Sequence, residues 1–202
     1  MTAGLSAIRW GVLAATMALA ACAPDVVERT DARGMGPLGK VDAPSSSAAV
    51  PGFGEVSVVC GLSRRELGKR IDTRPERGPA KWTLHDTAPG STGARAFHVT
   101  GFDDGCARRI TGALVMFGSV ELYELVHYTG LSASGETGAT DRAYEALRRS
   151  VCGTSRDRPC DEGPLKRLTR TTAFVTAFPR KGHPRHLELL MHGGALKATA
   201  VK

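Results

Sequence analysis

Asparagine and glutamine are absent from all 202 residues, so no carboxamide shapes a turn or a polar ladder. Aromatic residues make up only 5%, too few for the stacking platforms of single-strand nucleic-acid binders. Nucleic acid is therefore not an expected partner. No apolar run reaches the roughly 20 residues that cross a hydrocarbon core. No CxxC pair suggests a zinc site. Nor is there a GxSxG elbow for a hydrolase nucleophile, since Gly130-Leu131-Ser132-Ala133-Ser134 fails at its last position. No internal repeat of useful length is visible.

Lysine is scarce too. It occurs at positions 40, 69, 81, 166, 181, 197 and 202, so arginine dominates the 27 basic residues. Heavy use of Ala, Gly and Arg without amides looks like a base-composition bias. The formal charge is +7. That excess favours anionic lipid headgroups, envelope phosphates or acidic glycans as partners, while a simply solvated surface is the plainer reading.

What is present is sharpest at the N-terminus. Arg9 supplies a positive n-region, residues 10–19 form a short apolar h-region, and Leu19-Ala20-Ala21-Cys22 follows. The pattern resembles the lipobox of bacterial lipoprotein precursors. The resemblance covers this leader only and implies removal of residues 1–21, followed by acylation of Cys22. Two or three acyl chains, at about 0.8 kcal/mol per buried CH₂, make a durable anchor to the bilayer. Ala23 stands where the family's inner-membrane retention signal has aspartate, which leans towards the outer membrane. Losing Arg9 leaves a formal charge of about +6.

Residues 22–54 are rich in Pro, Gly, Ala and Ser without apolar periodicity and read as a disordered tether. Its reach is on the order of 30 Å. Residues 55–202 suit one domain with its own core. Four cysteines remain there, Cys60, Cys106, Cys152 and Cys160, and an even number in an exported domain reads as two disulfides. Three pairings exist. Cys152–Cys160 as a local clip, with Cys60–Cys106, is the favoured one.

Residues 55–60 are β-branched and read as a strand. Ser63-Arg64-Arg65-Glu66 is a capping-box pattern that predicts a helix to about Arg70, with Glu66 pairing Arg70. Residues 81–86 and 95–102 predict a hairpin across the Pro89–Gly93 loop. Asp103-Asp104 is expected to cap a helix through Cys106 to about Phe117. Ser119 is expected to cap a second helix to Tyr128, and Thr140 or Asp141 a third to Cys152. Gly153 should end that third helix in the left-handed conformation. On it Ala143, Tyr144, Leu147 and Val151 form an apolar stripe, and Glu145 precedes Arg149 by four. Strands follow at residues 171–178, 187–192 and 196–201, the last two joined by Gly193-Gly194. The expected fold is α+β and single-domain, stabilised by disulfides. It should have a mainly antiparallel sheet of about five or six strands and three or four helices.

Candidate chemistry is thin. Gly34-Met35-Gly36-Pro37-Leu38-Gly39 spells GxGxxG but lacks a strand before it and a helix after it, so it reads as chance. Cys60-Gly61-Leu62-Ser63, between strand and helix, resembles the active-site loop of monothiol glutaredoxins. It implies a thiolate at a helix N-terminus, but the family's later Val-Pro segment is missing. A structural disulfide is the competing reading. His85-Asp86, His98 and Asp104 would make a hydrolase-like set only if one cleft gathered them. Asp103-Asp104 as a paired acid and base competes with simple capping. His183, His186 and His192 lack the convergent donors that metal ligation needs. The arginine doublets Arg64-Arg65, Arg108-Arg109 and Arg148-Arg149 each fall on a predicted helix. No residue is assigned a catalytic, cofactor or metal role. The expected function is a non-catalytic binding or scaffolding module of the cell envelope. Thiol-redox chemistry at Cys60 and a His/Asp hydrolase are the alternatives.

Overall fold

A computed structural model describes residues 51–128, 138–154 and 158–202. The chain divides after Ser45, and every described residue belongs to the second unit, Ser46–Lys202. The leader, Cys22, most of the expected tether and the Gly130–Ser134 stretch lie outside the described residues. Residues 51–54, grouped with the tether on composition, pack on the domain. Pro51 is buried, its carbonyl accepts from Thr111 Oγ1 at 2.6 Å, and Phe53 lies against the core.

Among the described residues, nine strands and four helices make an α+β domain with two antiparallel sheets. The first sheet contains β1 (Ser57–Val59), β2 (Lys69–Arg74), β3 (Trp82–Asp86), β4 (Arg95–Thr100) and β5 (Ala107–Gly112), in the order β1-β5-β4-β3-β2. The second contains β6 (Leu114–Gly118), β7 (Thr172–Phe178), β8 (Leu187–His192) and β9 (Ala195–Val201), paired in sequence order. Between the sheets lies the main core, with Trp82, Leu84, Phe97 and Ile110 facing Phe117, Val175, Leu187 and Leu189. Burying each such side chain stabilises by about 1.5–3 kcal/mol. The other face of the second sheet carries α2 (Val120–Tyr128), α3 (Ala139–Cys152) and α4 (Glu162–Thr171). Tyr123, Tyr144, Leu168, Phe174 and Leu190 fill this second core. The layers are sheet, sheet, helices.

Helix α1 (Arg64–Leu67) starts with the capping box. Glu66 N–H donates to Ser63 Oγ at 3.4 Å, and Ser63 N–H donates to Glu66 Oε2 at 2.7 Å. It stops three residues earlier than the pattern suggests. Gly68 has φ +90°, and a β-carbon there would stand 2.3 Å from the Asp86 carbonyl oxygen, so helix cannot continue. Arg70 thus falls on β2, and Glu66 serves the cap rather than Arg70.

The expected helix from Asp103 to Phe117 is instead two strands. Gly105 (φ +70°) closes a turn, its N–H donating to the Phe102 carbonyl at 3.1 Å. Asp104 accepts the Cys106 N–H at 3.0 Å, and Asp103 pairs with Lys81 at 2.8 Å. Beyond the turn, Val115 and Phe117 point into the sandwich while Met116 between them faces out, a period of two. The β-branched Ile110, Thr111 and Val115 suit that pleat.

Helix α2 begins where Ser119 Oγ accepts the Leu122 N–H at 3.1 Å. Gly153 ends α3 at φ 65°. Glu145 pairs with Arg148 at 3.0 Å rather than with Arg149. Disulfides join Cys60 to Cys106 and Cys152 to Cys160.

Candidate functional site

A groove of about 540 Å³ opens where the turn after β2 meets the β6–α2 junction and the outer side of α4. Four cations line it: Arg74 and Arg77 from the turn, Lys166 and Arg170 from α4. Glu76 and Glu121 are its acids, so positive charge prevails. Arg74 is fixed by Asp72 at 3.0 Å, Glu76 at 3.3 Å and the Phe117 ring at 5.4 Å. Lys166 reaches Glu162 one turn back at 2.5 Å, an exposed pair worth little in water. Arg77 and Arg170 form no ion pair among the described residues. The first residues of α2 complete the lining. They carry the backbone N–H groups and the partial positive charge of a helix start.

A second cleft, about 180 Å³, adjoins the groove and shares Gly118 and Ser119 with it. It runs between α2 and the second sheet, past Leu122, Tyr123, Val126 and Phe174, to Thr176 and Glu188. Beneath it lies a closed polar network. Tyr123 Oη donates to Asp141 Oδ1 at 2.7 Å, and Lys202 Nζ lies 2.8 Å from Asp141 and 2.7 Å from Glu188. Thr140 Oγ1 donates to Glu188 at 2.5 Å. Burial alone would raise the Asp141 carboxyl, but hydrogen bonds from Lys202, Tyr123 and Gly138 outweigh it and hold the group below its ordinary value. Burial, then the Asp141 carboxylate, pushes the Tyr123 phenol far up. The one Lys202 ammonium serves both carboxylates, so this floor is fully ion-paired yet keeps an excess of negative charge.

A second buried set serves packing. Glu124 accepts from Tyr144 Oη at 2.6 Å and from Cys160 N–H at 2.9 Å. Arg148, wholly buried, spans Glu145, Thr154 and the Arg158 carbonyl, with its guanidinium over the Tyr128 ring at 4.0 Å. Every partner here is internal, which is how charge tolerates burial.

The residues singled out in the sequence do not converge. His85 and His98 are cross-strand neighbours on the outer face of the first sheet. Asp86, next to His85, points to the opposite face and binds Arg95. Asp104 is taken up by Arg108 at 2.6 Å. His98 is buried. Its Nδ1 meets the Leu67 carbonyl at 3.0 Å and its Nε2 accepts from Arg109 Nε at 3.1 Å. Because a carbonyl only accepts, Nδ1 carries the proton, and the ring is neutral and positioned by structure. His183, His186 and His192 are also spread out. His183 accepts the Arg185 N–H at 3.1 Å, His186 lies against Phe178 and His192 meets Thr172 at 2.8 Å. Among the described residues no group of three His, Cys, Asp or Glu side chains is placed to hold a metal. Cys60 is held in its disulfide with Cys106.

Two of the three arginine doublets lie on helices. Arg108-Arg109 lies on β5 and so splits between the two faces of the sheet. The groove's own cations do not stand out along the chain. Their one local trace is Lys166 and Arg170 four residues apart, on a helix that sequence patterning does not reveal. No known protein family, curated protein or solved structure matches the chain.

Proposed function

We propose that the chain is a cell-envelope lipoprotein, held by acylated Cys22 at the periplasmic face of the outer membrane. Its domain works there as a non-catalytic module that binds anionic envelope material. The leader Leu19-Ala20-Ala21-Cys22 supports the address, and two disulfides suit an oxidising compartment. The groove carries the binding reading. Arg77 and Arg170 face a cavity of about 540 Å³ without carboxylate partners among the described residues, beside Arg74, Lys166 and the start of α2. Guanidinium, ammonium and backbone N–H groups hold phosphate or carboxylate oxygens through charge-assisted hydrogen bonds.

The test uses the full chain with Cys22→Ala, which should move the protein from the membrane to the soluble fraction. Co-sedimentation of that variant with purified anionic envelope polymer should weaken steeply with salt. It should weaken further with Arg77→Glu and Arg170→Glu. Binding that ignores both salt and these substitutions would refute the reading.

A further inference from the structure

Groove and cleft adjoin at Gly118 and Ser119, which line both, so a cationic wall and an apolar wall meet at the start of α2 to make a trough. Helix α2 buries Val120 in the usual way but departs from the amphipathic arrangement further along. It buries Glu124 and Tyr123 while leaving Leu122 58% exposed at the cleft. Met116 is 43% exposed and lies opposite Thr176, a cleft residue, on the same face of the second sheet. Exposed apolar side chains beside Arg77 and Arg170, which form no ion pair among the described residues, are what a ligand with one charged and one greasy end would need.

We propose that the trough binds an anionic amphiphile with a single alkyl chain. Its phosphate or carboxylate headgroup lies among Arg77, Arg170 and Lys166 at the start of α2. Its chain lies between α2 and β6–β7, against Leu122, Val126 and Phe174, with Met116 at the rim. The proposal rests on the groove being an anion site and names the ligand that site takes. A plain acidic polymer would use the cations and leave the apolar wall wet. The narrow end holds only about 180 Å³ against 540 Å³ at the charged end, which fits one chain below a larger head. The Glu188 carboxylate at the far end is ion-paired with Lys202 and accepts from Thr140, so the tail meets no unpartnered carboxylate there.

Calorimetric titration of the full chain carrying Cys22→Ala separates the two readings. The probes are inorganic phosphate, then butyl, hexyl and octyl phosphate below their micellar concentrations, and octyl glucoside as an uncharged chain. Each added methylene should tighten binding, by up to about fourfold where it is fully buried. Leu122→Ser with Met116→Ser should flatten the chain-length series and leave inorganic phosphate unchanged. Arg170→Glu should weaken every phosphate alike. Phosphate binding that is indifferent to chain length overturns this inference and leaves the anion groove standing. Octyl glucoside binding as tightly as octyl phosphate overturns the headgroup assignment. No binding by any phosphate overturns both.

Discussion

Asp86 and Arg95 form a largely buried, bidentate ion pair in the sandwich, and removing one partner should be costly. Their side chains are 5% and 14% exposed. The contact is bidentate: Arg95 Nε to Oδ1 at 2.8 Å and Nη2 to Oδ2 at 2.7 Å. Arg95 also donates to the Ala113 carbonyl at 2.8 Å and lies over the Phe97 ring at 4.6 Å, so it cannot swing out freely to water. Asp86 Oδ1 further accepts the Ala88 N–H at 2.9 Å. Asp86→Ala would leave a guanidinium without its counter-charge and an amide without its acceptor. Breaking one side of a buried pair costs about 3–5 kcal/mol. Replacing both partners, Asp86→Leu with Arg95→Met, should recover much of that, because the penalty is an uncompensated charge. The pH dependence has a definite sign. Arg95 holds the Asp86 carboxyl below its ordinary value, against the opposing effect of burial. The folded pKa is therefore the lower one. The pair's contribution is complete above about pH 4 and fades as pH falls through the folded value. Guanidinium unfolding of wild type and Asp86→Ala at pH 7 and pH 3 reads both effects. A difference below about 1 kcal/mol at pH 7, or one that fails to narrow at pH 3, refutes the reasoning.

The disulfides should differ in worth: loop-closure entropy gives about 4 kcal/mol for Cys60–Cys106 and about 2.5 kcal/mol for Cys152–Cys160. Their sequence separations are 46 and 8. Paired Cys→Ser variants in chemical denaturation would show the order, and equal losses would contradict it. Gly68→Ala should cost roughly 2–4 kcal/mol, since strain at positive φ adds to a backbone clash. Gly61→Ala, at φ +72° with nothing within 4 Å of its β-carbon, should cost only about 1–2 kcal/mol, and thermal melts separate the two. His98 should stay neutral, with Nδ1 protonated, to below its ordinary pKa. Burial lowers it against the pull of the Leu67 carbonyl, and the Arg109 charge adds to that lowering. Its stabilising effect is thus present above about pH 6.5 and lost on acidification, which imidazole NMR and unfolding at two pH values would follow.

Segments whose pattern is local are legible in the sequence. Leu187–His192, the Gly193-Gly194 turn and the strand after it declare themselves by apolar content around two adjacent glycines, with Thr199 and Val201 β-branched in the second strand. The stripe Ala143, Tyr144, Leu147 and Val151 does pack in the helical core, and the glycine that ends α3 is plain in the sequence. Residues 103–118 mislead because Asp103-Asp104 serves a turn as well as it serves a cap. Only pairing with β4 and β7 decides for strand. Two elements leave almost no trace. Strand β2 is a charged edge, Lys-Arg-Ile-Asp-Thr-Arg, whose residues protect an open side rather than fill a core. Helix α4 contains Gly163 and Pro164 in its first turn and sets only Leu165 and Leu168 against the helical core.

Those two faint elements bound the groove, which explains why the candidate site is invisible in the sequence. Arg74 and Arg77 sit at and just beyond the end of β2, while Lys166 and Arg170 ride on α4, about ninety positions later. Charge counted along the chain cannot distinguish cations that share a cavity from cations that each face water. The apolar half is hidden for the opposite reason. Leu122 lies in a helix that periodicity would turn inward, yet the inner positions go to Tyr123 and Glu124, whose polar atoms meet Asp141, Tyr144 and the Cys160 N–H. Burying that carboxylate is tolerable only because its acceptors are filled. Once they are, α2 is rotated with a leucine facing out. The exposed leucine is thus a consequence of the buried network. Cutting that network with Tyr144→Phe should loosen α2 and blunt the chain-length dependence of alkyl phosphate binding, although Tyr144 does not line the trough.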